Sequence, residues 1–463
     1  MANNFTAEPD LATNWIISSN ASVYTFTIRQ GVTFSDGSPL TAQDVAFTYQ
    51  KFADPTVASE VEGQFVNMTV SAPNNSTVIF KFPTPRPDFI TDTWYGIVPM
   101  HILQNVPNQN LRNNSFSTSP IGSGPWKVVS YTPNTQLSLT ANTHYWKGTP
   151  KITNVIFKFV TDTSAMLTDV ESQQIDLLNT NAFAGGLTAQ NIQQLGGNNS
   201  NQYVTQVPGT TQILYMGPQN DTPWNNILVR QAVLHAINRT QIIEKVLGVG
   251  GGVISNDRFV TPWAINPNIA AYSYNVTLSN QLLDQAGYPR ASNGTRFTTN
   301  LYSTTGARVV WSQLIANMLS QVGISAKVVT VGDFGTYYGL LSNQGNGHNG
   351  IWTIFNNIDA DPATTANELL PTNAYPGGVN VANVNNASLT QALQKADGTG
   401  NQSIRQQFYY QAGEIVSQQA FEWPLWITTG YNVVSCHVKN FTSDGALGMD
   451  DINLEYAYWS ATC

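Results

Sequence analysis

Two carboxyl groups, Asp359 and Asp361 in the stretch NNIDADPATT, are the first candidates for chemistry in this chain of 463 residues. A carboxylate pair can perform general acid–base catalysis when one group is protonated and the other is ionised. The Asp-x-Asp-Pro pattern is also common in turns and at helix starts, where the side-chain oxygen accepts from backbone N–H groups. The structural interpretation is favoured over the catalytic one.

Other catalytic and metal-binding patterns are missing from the sequence. The histidines are scattered and lack a paired metal spacing such as H-E-x-x-H; they are His101, His144, His235, His348 and His437. The GSG stretch at 122–124 lacks the flanking glycines of a nucleophile elbow. The glycines at 248–252 lack the Lys-Ser/Thr of a phosphate loop. The sequence therefore predicts no enzyme, no catalytic residue, no metal and no cofactor.

Tryptophan is abundant, with 11 residues in a chain of which only 10% is charged. Several lie beside Gly or Pro, namely Trp126, Trp146, Trp263, Trp352, Trp423 and Trp426. Each taken alone is best explained as a core residue. As a set, they could also line a cleft in which flat rings stack on a ligand while amide and backbone groups orient it.

Charge and cysteine content restrict the location and the partners. A net charge of −8 and a pI near 5.1 argue against nucleic acid as a partner, because no basic patch is available for phosphate groups. No run of apolar residues is long enough to span a membrane. Cys436 and Cys463 either form a disulfide that closes the C-terminal segment or remain free thiols. A single disulfide suits an exported protein, which is the interpretation favoured here.

N-glycosylation sequons are moderately more frequent than chance predicts, which also favours an exported protein. The candidate acceptors are Asn20, Asn67, Asn75, Asn113, Asn198, Asn275, Asn293, Asn386, Asn401 and Asn440. The pattern N-x-[ST] marks where a glycan can be attached and leaves open which sites are occupied.

The stretch YTFTIRQGVTFSDGSPLTAQDVAFTYQKF, residues 24–52, predicts a hairpin followed by a helix. Tyr24, Phe26 and Ile28 alternate with polar residues, as in a half-buried strand. Thr41 precedes Asp44 by three positions, the spacing of a capping box. An apolar stripe at 45, 49 and 52 follows at helical spacing.

The rest of the chain mixes strands and helices. Strands are expected at Thr77–Phe82, Lys127–Tyr131, Gln136–Thr140 and Val155–Val160, and helices at Ile227–Leu247, Ala307–Val322 and Gln402–Gln419. This mixture indicates an α/β or α+β protein, and the length indicates two or three domains.

Four stretches resemble one known family in the order expected for it. They are PDLATNWIISSNASVYTFTIRQGVTFSDGSPLTAQDVAFTY, GSGPWKVVSY, LYMGPQNDTPWNNILVRQAVLHAINR and LIANMLSQVGISAKV. The first is similar to the signature of the extracellular solute-binding proteins of family 5, the dipeptide/oligopeptide-type receptors of ABC importers. Family members carry several dozen residues before this motif, so the first strands of the first lobe are expected to lie outside this chain.

The resemblance implies an α/β, two-lobed periplasmic-binding-protein-like fold of type II, cluster C, which closes on a ligand like a flytrap. An extra α+β domain would extend the first lobe. The implied domains are residues 1–120 for the extra domain, 121–224 and 425–463 for the first lobe, and 225–424 for the second lobe.

The resemblance also implies where a ligand would bind. In peptide-binding members, an Asp three residues before the acidic residue of the [DE]-P pair binds the α-ammonium group of the ligand. That position here is Ile358, and Asp359 could replace it if the loop shifts by one residue. The expected contact residues are Trp352, Phe355, Asp359 and Trp263. If no carboxylate takes this role, the ligand is neutral at that end, as an oligosaccharide is.

The expected function is capture of a small oligomeric solute and its delivery to a membrane ABC permease. Oligopeptides are the first expectation and oligosaccharides the alternative. The protein would be a monomer at the cell surface, held by an anchor not present in this chain. Two other classes remain open: a structural or adhesive surface protein built on this fold, and a secreted hydrolase that would depend on Asp359 or Asp361.

Overall fold

The computed structural model describes residues 7–59, 61–160, 162–180, 189–197, 200–342, 349–374, 379–444 and 451–463. The strands are β1 (Ala12–Ile17), β2 (Val23–Ile28), β3 (Thr69–Asn74), β4 (Thr77–Lys81), β5 (Trp126–Thr132), β6 (Gln136–Ala141), β7 (Asn154–Lys158), β8 (Leu177–Thr180), β9 (Gln202–Gly217), β10 (Gly252–Val253), β11 (Phe297–Thr304), β12 (Ile324–Val331), β13 (Gly350–Asn356), β14 (Glu422–Ser435), β15 (Val438–Lys439), β16 (Thr442–Asp444), β17 (Asp451–Asn453) and β18 (Tyr458–Trp459).

The helices alternate with these strands. They are α1 (Ala42–Ala53), α2 (Glu62–Phe65), α3 (Met100–Leu103), α4 (Thr163–Glu171), α5 (Ala189–Gln194), α6 (Ile227–Ala236), α7 (Arg239–Ile242), α8 (Val276–Gln285), α9 (Ala307–Gln321), α10 (Phe334–Leu341), α11 (Ala363–Asn367), α12 (Ala387–Asp397) and α13 (Gln402–Gln419). None of the described helices is long and apolar enough to cross a membrane.

The N-terminal unit is a four-stranded antiparallel sheet in the order β1-β2-β4-β3, with α1 packed against it. The alternating residues Tyr24, Phe26 and Ile28 of β2 are all buried, as their spacing predicts. Helix α1 begins with the expected capping box between Thr41 and Asp44. The predicted hairpin and helix are therefore confirmed as parts of one α+β unit.

A second, three-stranded antiparallel sheet has the order β5-β6-β7. A seven-stranded mixed sheet follows, in the order β10-β14-β9-β13-β11-β12, with β8 paired to β14. Within it, β13, β11 and β12 are parallel to one another, and α9 and α10 connect them. Helix α9 packs on one face of this sheet and α10 on the other, because their buried side chains belong to different core clusters.

The long antiparallel strands β9 and β14 connect two separate cores. Residues 213–216 of β9 and 423–426 of β14 pack into the clusters around the parallel strands. The other part of the same strand pair comprises residues 203–207 of β9 and 431–434 of β14. Most of its apolar side chains pack into two further clusters, which do not include the parallel strands. The pair is irregular at the end of the first part and just beyond it, with register shifts at Pro424/Trp426 and Ile427/Thr429.

The single helix predicted over Ile227–Leu247 is wrong. Helix α6 ends at Ala236, Ile237 is extended, and the Asn238 side chain caps a new helix by accepting from the Gln241 N–H. The chain then forms a π-helical turn over Ile243–Leu247. A polar residue that can cap a helix thus overrides an apolar spacing that continues through the break.

The C-terminal segment is closed by a disulfide. Cys436 directly follows β14, and Cys463 lies beyond β18, which pairs with β15. The two Cα atoms are 4.9 Å apart, and the disulfide joins the two residues. The predicted disulfide is confirmed, and the free-thiol alternative is not what the structure shows.

Candidate ligand-binding site

A cavity of about 220 Å³ opens at the carboxyl end of β13. Its walls come from the end of β13 and the following loop, from α10, and from the segments around Glu368 and Val381; they are Tyr215, Phe334, Tyr338, Leu341, Ile354, Phe355, Asn356, Asn357, Asp359, Thr364, Glu368, Val379 and Val381. Small-molecule sites usually measure about 300–1,000 Å³. The cavity is therefore sized for one unit or one end of a larger ligand.

The sheet topology explains why the cavity lies there. The connections that follow the neighbouring strands β11 and β13 leave on opposite faces of the sheet, through α9 and α11 respectively. A crevice forms outside the carboxyl ends of parallel strands at such a point, and ligands of α/β proteins bind there. The parallel strands thus place loop residues around an opening without any special local sequence.

A buried charge cluster includes Glu368 of the cavity wall and extends from it into the interior. The Arg258 guanidinium, which is fully buried, donates to Glu422 Oε2 at 3.0 Å and also forms an ion pair with Glu368. Glu368 accepts from the Tyr215 hydroxyl at 3.2 Å and from Asn356 Nδ2 at 2.7 and 2.8 Å. Burial raises the pKa of Glu422 to about 8, although Arg258 opposes the shift. Below this pH Glu422 is mainly protonated, so the positive charge of Arg258 faces the Glu368 carboxylate, and the cluster becomes negative only when Glu422 ionises.

Asp359 adds a third carboxyl group at the cavity wall. Burial and the negative charge of Glu368 together raise the pKa of Asp359 to about 7, while the Thr364 side chain opposes the shift by hydrogen bonding. A carboxyl group with this pKa changes charge near neutral pH. A cation bound beside it would favour the ionised form.

Asn357 contributes an acceptor with no partner. In the part of the chain that the structure describes, the Oδ1 atom of Asn357 is buried and accepts no hydrogen bond. An unpaired buried carbonyl oxygen costs free energy, of the order of 1–3 kcal/mol. A ligand with N–H or O–H donors would recover this cost.

Aromatic rings also line the cavity. Phe334 and Tyr338 lie one helical turn apart on α10 and are 46% and 39% exposed. The ring centroids of Phe334 and Phe355 are 5.5 Å apart, and those of Phe334 and Tyr338 are 6.2 Å apart at an interplanar angle of 28°. These rings offer an apolar surface next to the carboxyl groups.

The four predicted contact residues occupy different environments. Phe355 and Asp359 line the cavity. Trp352 is fully buried beneath it, stacked on Tyr302 with ring centroids 4.0 Å apart. Trp263 packs edge-on against Tyr409, and its indole N–H donates to the Ala360 carbonyl at 3.1 Å. The structure thus brings Phe355 and Asp359 together and gives Trp352 and Trp263 structural contacts.

The neighbours of Asp359 clarify the one-residue shift. Ile358 is 2% exposed and is not among the described residues that line the cavity. Asp361 forms a buried bidentate ion pair with Arg405, at 2.5 and 2.7 Å, and accepts from the Ala363 N–H. Asp361 therefore has its carboxylate engaged by Arg405, and the two aspartates do not form a free carboxylate pair.

The tryptophan-lined cleft is wrong for most of its proposed members. Trp352, Trp423 and Trp426 are core residues with at most 2% exposure. Trp126 lies in β5 and donates to the Ile152 carbonyl at 2.9 Å. Trp146 carries Arg29 over its ring, with the guanidinium carbon 4.0 Å from the centroid. The rings at the cavity are instead Phe and Tyr.

Sequence reasoning missed Glu368, Asn356, Asn357 and the α10 aromatics. Asn356 and Asn357 follow a buried apolar strand, and the rule for parallel strand ends could have identified them. Glu368 carries no local signal, because its partners Arg258 and Tyr215 are more than 100 residues away in sequence.

The sequons are mostly exposed where the structure describes them. Asn20, Asn67, Asn75, Asn113, Asn275, Asn293, Asn401 and Asn440 are exposed, and Asn386 is half-buried. Asn275, Asn386 and Asn401 cap helices through Oδ1, which leaves Nδ2 for a glycan. Asn440 Nδ2 donates to the Tyr456 carbonyl. Asn198 lies outside the described residues.

Comparison with known proteins gives a consistent result. The family model described as bacterial extracellular solute-binding proteins, family 5 Middle, matches residues 6–376. A putative ABC transporter peptide-binding protein of Brucella ovis is 28% identical over 446 residues, covering 93% of this chain and 81% of that protein.

Two solved structures share the fold. The oligopeptide-binding protein AppA from Bacillus subtilis, in complex with a nonapeptide, superposes with a TM-score of 0.80 at 21% identity, covering 99% of this chain and 91% of that one. The ABC transporter substrate-binding protein CtaP from Listeria monocytogenes has a TM-score of 0.84 at 21% identity, covering 98% and 91%. The fold class predicted from the sequence is confirmed.

Proposed function

The chain belongs to the bacterial extracellular solute-binding proteins of family 5, and we propose that it captures oligopeptides and delivers them to a membrane ABC permease. The cavity at the end of β13 binds the N-terminal residue of the peptide. The protein acts outside the membrane as a monomeric binding component of its permease and does not transform its ligand.

One observation carries this proposal: carboxyl and amide oxygens, one of them unpaired among the described residues, share a cavity with exposed aromatic rings. Asp359 and Glu368 supply carboxylates, and Asn357 supplies a buried acceptor without a partner among the described residues. An α-ammonium group carries one positive charge and three N–H donors, which matches three acceptors, and its charge would favour the ionised form of Asp359. The first side chain of the peptide would lie against Phe334 and Phe355.

Opening and closing follow from the two cores that β9 and β14 connect. We place the crossing at residues 208–212 and 427–430, between the parts of the strands that pack into different clusters. This is close to the second boundary expected from the sequence, at 424/425, and some residues before the first, at 224/225. A peptide favours the closed state only by its difference in affinity between the two states.

Isothermal titration calorimetry with matched peptides tests the proposal. A panel of short peptides with free N-termini is compared with the same peptides acetylated at the N-terminus. Acetylation removes the charge, so affinity should fall by more than about tenfold, which corresponds to 1.4 kcal/mol. C-terminal amidation of the same peptides is the control and should have a smaller effect. Equal affinity for free and acetylated peptides would contradict the proposed ammonium site.

A second candidate ligand is an oligosaccharide, which the exposed rings of Phe334 and Tyr338 favour. Flat aromatic surfaces stack on sugar rings, and the neighbouring amides and carboxylates can accept from hydroxyl groups. Calorimetry with gluco- and xylo-oligosaccharides distinguishes the two. Measurable binding of sugars without binding of peptides would select this candidate. Binding of neither ligand class would favour a structural surface protein.

A further inference from the structure

Three side chains at the C-terminal end of the fold place their ligand atoms together. The sulfur atoms of Cys436 and Cys463 and a ring nitrogen of His437 all lie within 4.8 Å of one another. The antiparallel pair β15–β18 brings them together, because it returns the chain to the end of β14. This group belongs to a different part of the chain from the cavity residues and does not depend on the proposed peptide binding.

The orientation of the His437 ring is fixed by its surroundings. Nδ1 is 2.8 Å from the Ser460 carbonyl oxygen, which can only accept, so Nδ1 carries the proton. The Ser460 N–H in turn donates to the His437 carbonyl at 2.8 Å. The ring stacks on Trp459, with centroids 5.0 Å apart and an interplanar angle of 19°. His437 is thus held on one side by a carbonyl and on one face by an indole.

The other nitrogen faces sulfur. His437 Nε2 is 3.6 Å from Cys463 Sγ. With the proton on Nδ1, Nε2 presents a lone pair, and a disulfide sulfur has no proton to donate to it. The same arrangement, in which Nδ1–H donates to a backbone carbonyl and Nε2 points at the site, is the usual way that proteins orient a metal-binding histidine.

We propose that, once the disulfide is reduced, Cys436, His437 and Cys463 form a binding site for a thiophilic divalent cation, with Zn²⁺ as the best match. A phosphine supplies two electrons to the S–S bond and becomes a phosphine oxide, while water supplies the oxygen and the two thiol protons; a dithiol gives the same two thiols by exchange and is left as its own disulfide. The cation then displaces both thiol protons and binds two thiolates and neutral Nε2. Two sulfurs and one imidazole make a Cys₂His set, with the fourth position open to water.

The required movements are small. Tetrahedral zinc binds thiolate at about 2.3 Å and imidazole nitrogen at about 2.0–2.1 Å, so its ligand atoms lie within about 4 Å of each other. The three ligand atoms already lie within 4.8 Å of one another, and His437 needs no change of tautomer. Reduction lets the two sulfurs separate to the spacing that the ion requires.

The site would keep the C-terminal segment attached in either redox state. The disulfide ties the end of β14 to the residue that follows β18 by a covalent bond. The cation would tie the same two positions by coordination, with His437 as an added ligand. The closure of this segment then rests on the disulfide in the oxidised protein and on the metal in the reduced protein, in addition to the β15–β18 pairing.

Cobalt(II) titration of the intact protein tests the proposal. The protein is reduced with a phosphine, freed of reductant under argon, and titrated with Co²⁺ and then with Zn²⁺. The reduced protein should bind one Co²⁺ with thiolate-to-cobalt charge-transfer and tetrahedral d–d absorption, and one Zn²⁺ should displace it. The oxidised protein should show neither band. Reduced protein without these bands would overturn the proposal.

Variants separate the site from incidental binding. Cys436→Ser should abolish the bands, and His437→Ala should weaken Co²⁺ binding by at least about 10- to 100-fold, the loss seen even for outer partners of metal ligands. The matched control is His235→Ala, because His235 Nδ1 also lies 2.7 Å from a carbonyl, that of Ser273, while His235 lies far from both cysteines in the sequence. Equal binding by His437→Ala and the wild type would exclude His437 as a ligand.

The fold of the reduced protein is monitored by circular dichroism and by its melting temperature. If reduction alone loosens the C-terminal segment, Zn²⁺ should restore the melting temperature in the wild type and fail to restore it in His437→Ala. A segment that stays loosened in the presence of Zn²⁺ would also overturn the proposal.

Discussion

The ionised form of Asp359 is unfavourable in the unliganded protein, and a bound cation would stabilise it. Burial and the neighbouring Glu368 raise its pKa to about 7, and the charge of Arg258 is already shared between Glu368 and Glu422. A bound α-ammonium would stabilise the ionised form of Asp359 and lower its pKa. Proton release should therefore accompany peptide binding near neutral pH.

The first prediction concerns the pH dependence of affinity. Peptide affinity should fall as the pH decreases through about 7, because protonated Asp359 no longer attracts an ammonium group. In Asp359→Asn, affinity at pH 8 should fall by about tenfold or more, and this pH dependence should disappear. Calorimetry from pH 5.5 to pH 8.5 in buffers of different ionisation heat measures both affinity and proton release. An Asp359→Asn variant with the affinity of the wild type would rule out the assigned role.

The stability of the unliganded protein should change in the opposite direction. Because the pKa of Asp359 is raised in the folded state, the folded protein binds more protons than the unfolded chain between the ordinary aspartate pKa and about 7. Asp359 thus makes stability fall as the pH rises through this range. Asp359→Asn should be more stable than the wild type at pH 8 by at least about 1.4 kcal/mol, the value of one pKa unit.

Denaturant unfolding at pH 5 and pH 8 measures this difference in stability. Burial also raises the pKa values of Asp257 and Glu422, but both residues are present in the wild type and in the variant, so the difference between the two proteins reports on Asp359. The control is Asp333→Asn, since Asp333 is an exposed N-cap of α10 and Asn caps helices equally well. A stabilisation of the same size in both variants would point to a general charge effect.

For single residues, the family resemblance pointed to position 358, and the sequence could not show whether Asp359 takes its place by a one-residue shift of the loop. The choice depends on the direction of one loop residue, which the three-dimensional packing sets: Ile358 is buried and Asp359 lines the cavity. The position of Glu368 in the cavity wall could not be predicted, because it depends on the ion pair with Arg258, 110 positions away in the sequence.

Among the elements, the loop between β13 and α11 is the one that positions Asp359. Thr261 donates to the Asp359 carbonyl at 2.8 Å, and the Trp263 indole donates to the next carbonyl, that of Ala360. Arg405 of α13 holds Asp361 by two hydrogen bonds. The loop is therefore fixed from two other elements, and Trp263 contributes by orienting the backbone.

The second prediction tests this fixation. Arg405→Met leaves the buried Asp361 carboxylate without its partner and should destabilise the protein by about 3–5 kcal/mol. Peptide affinity should also fall, because the loop that carries Asp359 is released. Denaturant unfolding and calorimetry on the same samples measure the two effects.

The control is the double variant Arg405→Met/Asp361→Leu, which replaces the ion pair by apolar side chains. It should recover most of the lost stability, because no unpaired charge remains in the interior. A double variant as unstable as Arg405→Met would show that Arg405 acts through its other contacts, such as the Ala396 carbonyl.

Elements with a strong local signal were predictable, and those decided by a single capping residue were not. Helix α13 covers the predicted Gln402–Gln419, and α9 differs from its prediction by one residue. Both have apolar residues at regular helical spacing and no competing cap inside. In the stretch 227–247 the spacing also continues, and one asparagine side chain at 238 is enough to end one helix and begin another.

At the scale of the whole molecule, β9 and β14 connect the two cores, and the side chain of Thr428 links these two strands where they cross between the cores. The Thr428 hydroxyl accepts from the Thr210 N–H at 2.9 Å and donates to the Thr210 carbonyl at 3.1 Å. It substitutes for backbone pairing where the register shifts between Ile427 and Thr429. The family resemblance predicted that the chain crosses between lobes, and no residue pattern marked this position.

The last prediction is that Thr428→Val changes affinity through the crossing and leaves end-group recognition intact. The methyl group cannot satisfy the Thr210 N–H and carbonyl, which should cost about 1–3 kcal/mol of stability. The same loss weakens the arrangement of the two cores and should lower peptide affinity by up to about tenfold. Because Thr428 is not among the described residues that line the cavity, the ratio of affinities for free and acetylated peptides should equal that of the wild type.

Thr429→Val is the control within the same crossing, since the Thr429 hydroxyl donates to the exposed Gly250 carbonyl and makes no hydrogen bond to Thr210. Small-angle scattering with and without peptide reports how the two cores move. A changed ratio of free to acetylated affinities in Thr428→Val would mean that the crossing and the cavity are not separable. An unchanged ratio with lowered affinity would locate peptide recognition at the end of β13 and the closing equilibrium at the strand crossing.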